Sequence, residues 1–533
     1  MALCAALIVA GASGRASDPM SAINWLDHRD GLAAFPDTPQ PAAQPGSAAT
    51  RRAPSLRSPP GASGPVNESP VASAVVVPEV TTRSLDEAQI GAVGLLPRSV
   101  TGLPPTLWQT SRTAALNRLL SGLDVSHLPA MQSLLYTLLL AESDPPGDDR
   151  DGTAFLLTRI DRLTDLGAVE PAMALIERAG PTASPEVFAR WFDLSLLSGE
   201  ENAACATMTE QPTLAPSITA LAFCRARLGD WDTAALTYGG ASALGLLPKA
   251  EDRLLRLYLD PELAEETPPM PPPAEMTPLA FRLAESIGTP LPSAGLPRAY
   301  AMADLRGISG WRAEIEAAER LARTGALAEN RLLGIYTDRR PAASGGLWDR
   351  VDLLQQLDRA LSAQDPGAVQ SVLPNAWSAI RQAELELPFA RLWGATLAGM
   401  PLTDAAARTA FDVALLSPEY EALAQGLAKR TPREAYLAAL ASGRPGEATA
   451  PDLIAAAITR GFAPDAAIPP TLRAVLQQGR LGEAVLIAMT YYARAAQGET
   501  KDIAPALATL RAVGLEDSAR RAALQLMILE QRL

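Results

Sequence analysis

A glycine followed five residues later by an alanine, set between two amphipathic stretches, recurs along this chain and constrains its fold more than any other feature. The pattern stands at Gly167…Ala172, Gly199…Ala204, Gly229…Ala234, Gly479…Ala484 and Gly514…Ala519. A sixth turn, at Gly325, carries Asn330 in place of the alanine. Gly167 and Gly199 are 32 residues apart, Gly199 and Gly229 are 30, and Gly479 and Gly514 are 35, each the length of a helical hairpin. Glycine takes up the left-handed conformation that ends a helix. A small residue about one turn into the next helix lets the two helices approach closely. Leu163 and Leu166 before the first glycine, with Met173 and Ile176 after it, supply facing apolar stripes. One hairpin cannot bury such a face alone, so neighbours must stack. The expected fold is therefore all-α, an α-solenoid of stacked helical hairpins. No clean register runs between Gly229 and Gly479.

Composition points the same way. Apolar residues make up 48% of the chain and aromatics only 5%; the apolar share is mostly Ala and Leu, which favour helix over strand. Met131, Leu134, Leu135, Leu138 and Leu139 follow the spacing of a buried helical face. Thr431-Pro432-Arg433-Glu434 has an N-cap, a proline at N1 and a glutamate placed to close a capping box. Ser184-Pro185-Glu186 and Ser417-Pro418-Glu419 predict helix starts of the same kind. The pairs Glu316–Arg320 and Glu319–Arg323 fit an exposed helix. Trp191, Trp231, Trp311, Trp348, Trp377 and Trp393 suit core positions at helical spacing, or a peptide groove.

The amino end reads differently. Residues 1–16 resemble an export signal, with an apolar run from Ala2 to Ala10 and Gly14 and Ala16 placed for cleavage before Ser17. No Lys or Arg precedes the run, and it is too short to span a membrane. A short amphipathic island at 17–32 contains Met20, Ile23, Trp25 and Leu26. Residues 33–82, rich in Pro, Ala, Ser and Gly, predict a disordered linker. Residues 83–109 are apolar but broken by Pro and Gly, so they are expected to lie extended as a docking segment with Leu96, Arg98, Leu103 and Trp108. Helical repeats are expected over 110–266 and 277–533, divided by a Pro-rich break at 267–276. Removal of the leader would take Cys4 and leave Cys205 and Cys224. The pair admits a disulfide contributing about 3 kcal/mol, or two buried thiols packing as small hydrophobes. These features together predict a periplasmic or secreted protein.

Gly229-Asp230-Trp231-Asp232-Thr233-Ala234-Ala235-Leu236-Thr237-Tyr238 resembles the turn and second helix of a tetratricopeptide repeat, and Gly479-Arg480-Leu481-Gly482-Glu483-Ala484 resembles the same turn. The first-helix Trp and closing Pro of that repeat are not regularly placed, and the match covers about a third of the chain. The resemblance implies a protein partner held on a concave helical surface, and it brings no catalytic residue. Asp18 to Leu26 and Leu96 to Pro104 also resemble a group of exported alphaproteobacterial proteins, some described as related to antifreeze glycopeptides. Antifreeze glycopeptides repeat Ala-Ala-Thr many times, whereas Ala48-Ala49-Thr50 is isolated here.

Candidate chemistry is sparse. The net charge of −13 gives no basic surface for phosphates, which argues against nucleic acid as a partner. Histidine occurs only at His28 and His127, and neither belongs to a metalloprotease, Walker or nucleophile-elbow motif. Asp144, Asp148, Asp149 and Asp151 cluster without the spacing of an EF-hand and fit a solvated interhelical loop better. No cofactor or metal is implied. The expectation is a non-catalytic binding or scaffold protein of the cell envelope that engages a protein partner. An envelope-polymer enzyme or its accessory subunit is the alternative.

Overall fold

The computed structural model describes residues 90–529 except 269–271 and 274. The expected signal segment, island and linker, and the start of the docking segment, lie outside the described residues. The described chain opens with a 3₁₀ turn at Ile90–Ala92 and a single helical turn, α1 (Arg98–Thr101). Then come α2 (Thr113–Gly122), α3 (Pro129–Leu140), α4 (Thr153–Asp165), α5 (Val169–Ala179), α6 (Pro185–Ser198), α7 (Glu201–Glu210), α8 (Ile218–Arg227), α9 (Trp231–Ala243), α10 (Lys249–Leu259) and α11 (Pro261–Glu266). After the Pro-rich stretch follow α12 (Pro278–Ser286), α13 (Ala301–Asp304), α14 (Trp311–Ala322), α15 (Glu329–Thr337), α16 (Leu347–Ser362), α17 (Pro366–Ala383), α18 (Glu386–Ala398) and α19 (Asp404–Leu416). The last seven are α20 (Tyr420–Gly426), α21 (Pro432–Ala441), α22 (Leu453–Phe462), α23 (Pro470–Gln477), α24 (Leu481–Ala496), α25 (Ile503–Ala512) and α26 (Glu516–Leu529). Among the described residues there is no strand, and the one β-bridge joins Leu96 to Ala141. No described helix is long and apolar enough to cross a membrane.

Helix ends follow the local chemistry. Thr431 caps α21 and Glu434 bonds back to the N-cap backbone, a complete capping box, and Ser184 caps α6 through Val187 N–H. Ser417 does not start a helix. It is fully buried, its hydroxyl donates to the Ala414 carbonyl 2.7 Å away, and α20 begins at Tyr420 without a side-chain cap. Among its described residues the docking segment is not extended throughout: it has the 3₁₀ turn at Ile90–Ala92, the single turn α1, where Gly102 in the left-handed conformation closes onto Arg98, and turns from Pro105 onward, with extended backbone only between them. On α14 the expected Glu319–Arg323 pair forms at 3.5 Å, though around a buried Glu319, and the Glu316–Arg320 pair does not. Glu316 pairs with Arg312, and Arg320 turns to the Ser293 and Leu296 carbonyls. Glu319 is buried and accepts from Tyr336 and Arg350. The partners of Glu319 come from α15 and α16 and those of Arg320 from the loop before α13, whereas the Arg312–Glu316 pair stays in solvent.

Two hydrophobic cores result. The larger gathers side chains from Leu95 to Leu197 and from Phe281 to Leu529. The smaller runs from Phe188 to Ala284. Their boundary does not fall at the Pro-rich break, because α10 packs on α12 across it and Leu254 shares the smaller core with Leu279 and Leu283. The series of helices also meets itself: α2 packs on α24 and α3 on α26. The Thr110 hydroxyl donates to the Gly479 carbonyl (2.7 Å), and Gly482 N–H to the Leu107 carbonyl (3.1 Å). Nearest-neighbour stacking alone would not make these contacts.

Candidate binding surface

The six turn glycines, Gly167, Gly199, Gly229, Gly325, Gly479 and Gly514, all have positive φ, from 71° to 93°. At each, the following residue donates its N–H to the carbonyl five residues back, as from Ala168 to Leu163 and from Leu515 to Leu510 (both 2.9 Å). This closure satisfies carbonyls left open at the helix end. Ala172, Ala204, Ala234, Ala484 and Ala519 are all fully buried. At Gly325 the next helix starts at Glu329, two residues later than in the other hairpins, so Asn330 falls outside the small-residue position and is exposed. Gln364 (φ 51°) and Glu384 (φ 58°) make the same turn without glycine, followed by buried Val369 and Phe389 at the fifth position.

Of the docking residues, Leu96, Leu103 and Trp108 are buried, while Arg98 points outward. The segment is held by Arg159 of α4, a fully buried guanidinium. It donates to the carbonyls of Leu139 (2.6 Å), Val93 (2.8 Å), Ala141 (3.2 Å) and Gly91 (3.3 Å). Burial alone lowers its pKa to about 10, so it stays charged at neutral pH. Trp108 lies against Phe155, with ring centroids 5.3 Å apart, and covers Gly482, where a Cβ would come within 2.4 Å of the indole. Cys205 on α7 and Cys224 on α8 are disulfide-bonded, with Cα atoms 4.8 Å apart.

The surface around α8 and α9 differs from the rest. Eight large hydrophobic side chains are exposed among the described residues, and six of them lie between Ile218 and Leu246. Trp231 is 46% exposed, Leu244 74% and Leu236 77%. The helix α9 packs on α8 and α10 through Ala234 and Ala241, and the Arg225 guanidinium donates to the Thr237 hydroxyl across the α8–α9 hairpin. Leu236 stands on its other side, Trp231 lies against Tyr258 of α10 with ring centroids 5.8 Å apart yet stays partly exposed, and Leu244 and Leu246 continue beyond the end of α9. Sequence reading marked Gly229 and the motif around it but missed this face. Its signal was apolar residues on both sides of α9, a pattern expected of a helix covered all round, where only one side is covered.

No known protein family, curated protein or solved structure matches the chain.

Several charged groups elsewhere have structural partners. Glu201, buried on α7, accepts from Arg282 (2.9 Å) and pairs with Arg227 (3.2 Å), which ties α7 to α8 and α12. His127 pairs with Glu384 at 2.9 Å, at the end of α17. Asp148 caps α2 by accepting from Thr113 N–H and hydroxyl, and Asp149 accepts from Phe155 N–H in the first turn of α4. These acids thus act as helix caps in an interhelical loop. Among the described residues no group of three His, Cys, Asp or Glu is placed to hold a metal.

Proposed function

We propose that this protein is a binding or scaffold protein of the cell envelope, built of stacked tetratricopeptide-like hairpins, that engages a protein partner through its α8–α9 hairpin. The observation that carries the reading is the concentration of exposed apolar side chains on that hairpin. Scattered exposed hydrophobics are ordinary on any protein, but six within the stretch from Ile218 to Leu246, a tryptophan among them, suit an interface anchor. The export-like start and the paired cysteines support an envelope location. The buried charges described above are matched to helices, and none converges on an open site.

The test compares the full chain with Leu236→Glu/Leu244→Glu and with Leu453→Glu, an exposed leucine on α22, in affinity capture from envelope extracts. A stoichiometric protein retained by the parent and the Leu453 variant but lost by the double variant supports the reading. Turnover of muropeptides by the purified chain, abolished by a single carboxylate substitution, would replace it with an enzyme.

A further inference from the structure

Independent of the proposed interface is a cleft of about 310 Å³ lined by α10, the end of α12 and its following loop, and Pro272 and Pro273. That volume is at the lower end of the range for small-ligand sites, about 300–1,000 Å³. Leu254, Ala284 and Leu291 line it, and Pro272 and Pro273 close one side. Lys249 and Arg253 stand one helical turn apart on the same face of α10, at the wall. The acids of that helix, Glu251 and Asp252, do not line the cleft. Among the described residues no carboxylate lines the cleft and neither cation forms an ion pair. This occurs in a chain with 59 acidic residues, only 46 basic ones and a lysine at just three positions.

We propose that this cleft binds a free single-chain amphiphile with an anionic headgroup, an alkyl carboxylate. Its tail lies on Leu254, Ala284 and Leu291, and its headgroup meets Lys249 and Arg253. Burying an apolar chain supplies the driving force. Two adjacent cations give charge-assisted hydrogen bonds to the carboxylate at the mouth. The pairing selects against cationic amphiphiles of equal length.

Calorimetric titration of the full chain with dodecanoate and with dodecyltrimethylammonium, both below their micelle concentrations, tests the assignment. Dodecanoate is expected to bind one per chain, at least tenfold more tightly than the cationic amphiphile. Lys249→Gln/Arg253→Gln, at exposed positions that leave the core intact, is expected to weaken dodecanoate at least tenfold. Ala284→Leu, which fills the floor, is expected to weaken both amphiphiles. Equal binding of the two amphiphiles, no dodecanoate binding, or binding unchanged by the double substitution would overturn the proposal. Flotation with phosphatidylglycerol vesicles that the double substitution abolishes would also overturn it, by identifying a bilayer headgroup as the ligand.

Discussion

The two cores solve the same packing problem with different means. In the larger core, helices from both ends of the described chain close on one another, and buried charges such as Arg159 and Glu319 are satisfied by several partners each. The smaller core has fewer helices to draw on, and the fraction of surface buried falls with size. It carries the disulfide, linking two adjacent helices, and it leaves the apolar side of α9 uncovered. Away from it, the exposed large hydrophobics Ile308 and Leu453 stand singly. A set of helices that cannot bury all its apolar surface internally gains from a covalent link and presents the remainder outward. The cross-link and the candidate interface therefore belong to one region for one physical reason.

If the larger core depends on Arg159, its loss should have the largest effect. Arg159→Met leaves four backbone carbonyls without a donor, and the expected loss is about 3–5 kcal/mol. Denaturant unfolding checks the size, and limited proteolysis should show new cleavage between residues 90 and 108. Next in size is the disulfide. Cys205→Ala/Cys224→Ala opens a loop whose ends are 19 residues apart, with an expected loss of about 3 kcal/mol. Hydrogen exchange should quicken in α7–α9 while α3 and α24 keep their protection. Equal quickening in both cores would show that they unfold as one unit and break the comparison.

What could be read in advance divides along similar lines. Turn glycines were legible because side-chain-bearing residues rarely adopt the left-handed conformation. Gln364 and Glu384 adopt it nonetheless, which is why no register could be followed through the middle of the chain. Arg159 and the Trp108–Gly482 contact were not legible, since no local pattern marks a partner carried by a distant helix. Gly482 gave a partial signal: a glycine inside α24 weakens a helix, and its reason is the indole packed over it. The Glu319 network was hidden behind spacing that equally describes a solvent-facing helix. For the α8–α9 surface, composition revealed an apolar helix but not which side would remain open.

The boundary between the cores also carries a pH response. Burial raises the Asp193 carboxyl on α6 to about 6, opposed by Arg190 and reinforced by Glu251. An unfolded aspartate titrates near 3.9. The folded state therefore binds the extra proton between about pH 4 and 6, and stability falls as pH rises through that window. Above it, the partly buried charge remains a standing penalty. Asp193→Asn should stabilise the protein at pH 7 by about 1–3 kcal/mol, with the gain vanishing below about pH 4. A gain that persists at low pH would place its origin in packing.

The smallest contrast sets one turn in each core against the other. Gly167 and Gly229 share the left-handed conformation, with φ of 81° and 93°. Around Gly229 nothing lies within 4 Å of an added Cβ, whereas at Gly167 it would meet Leu321 at 2.6 Å and Arg298 at 2.9 Å. Gly229→Ala should therefore cost about 1 kcal/mol, the conformational term alone. Gly167→Ala adds an overpacking term of about 1–2 kcal/mol, limited because the Leu321 methyl can rotate away. Thermal unfolding of the two variants separates the terms. If both lose the same amount, the turn conformation sets the cost wherever it occurs. A larger loss at Gly167 would show that α14 is packed onto the α4–α5 turn tightly enough to resist one methyl group. It would also show that the α8–α9 turn is free on its outer side, as an open interface requires.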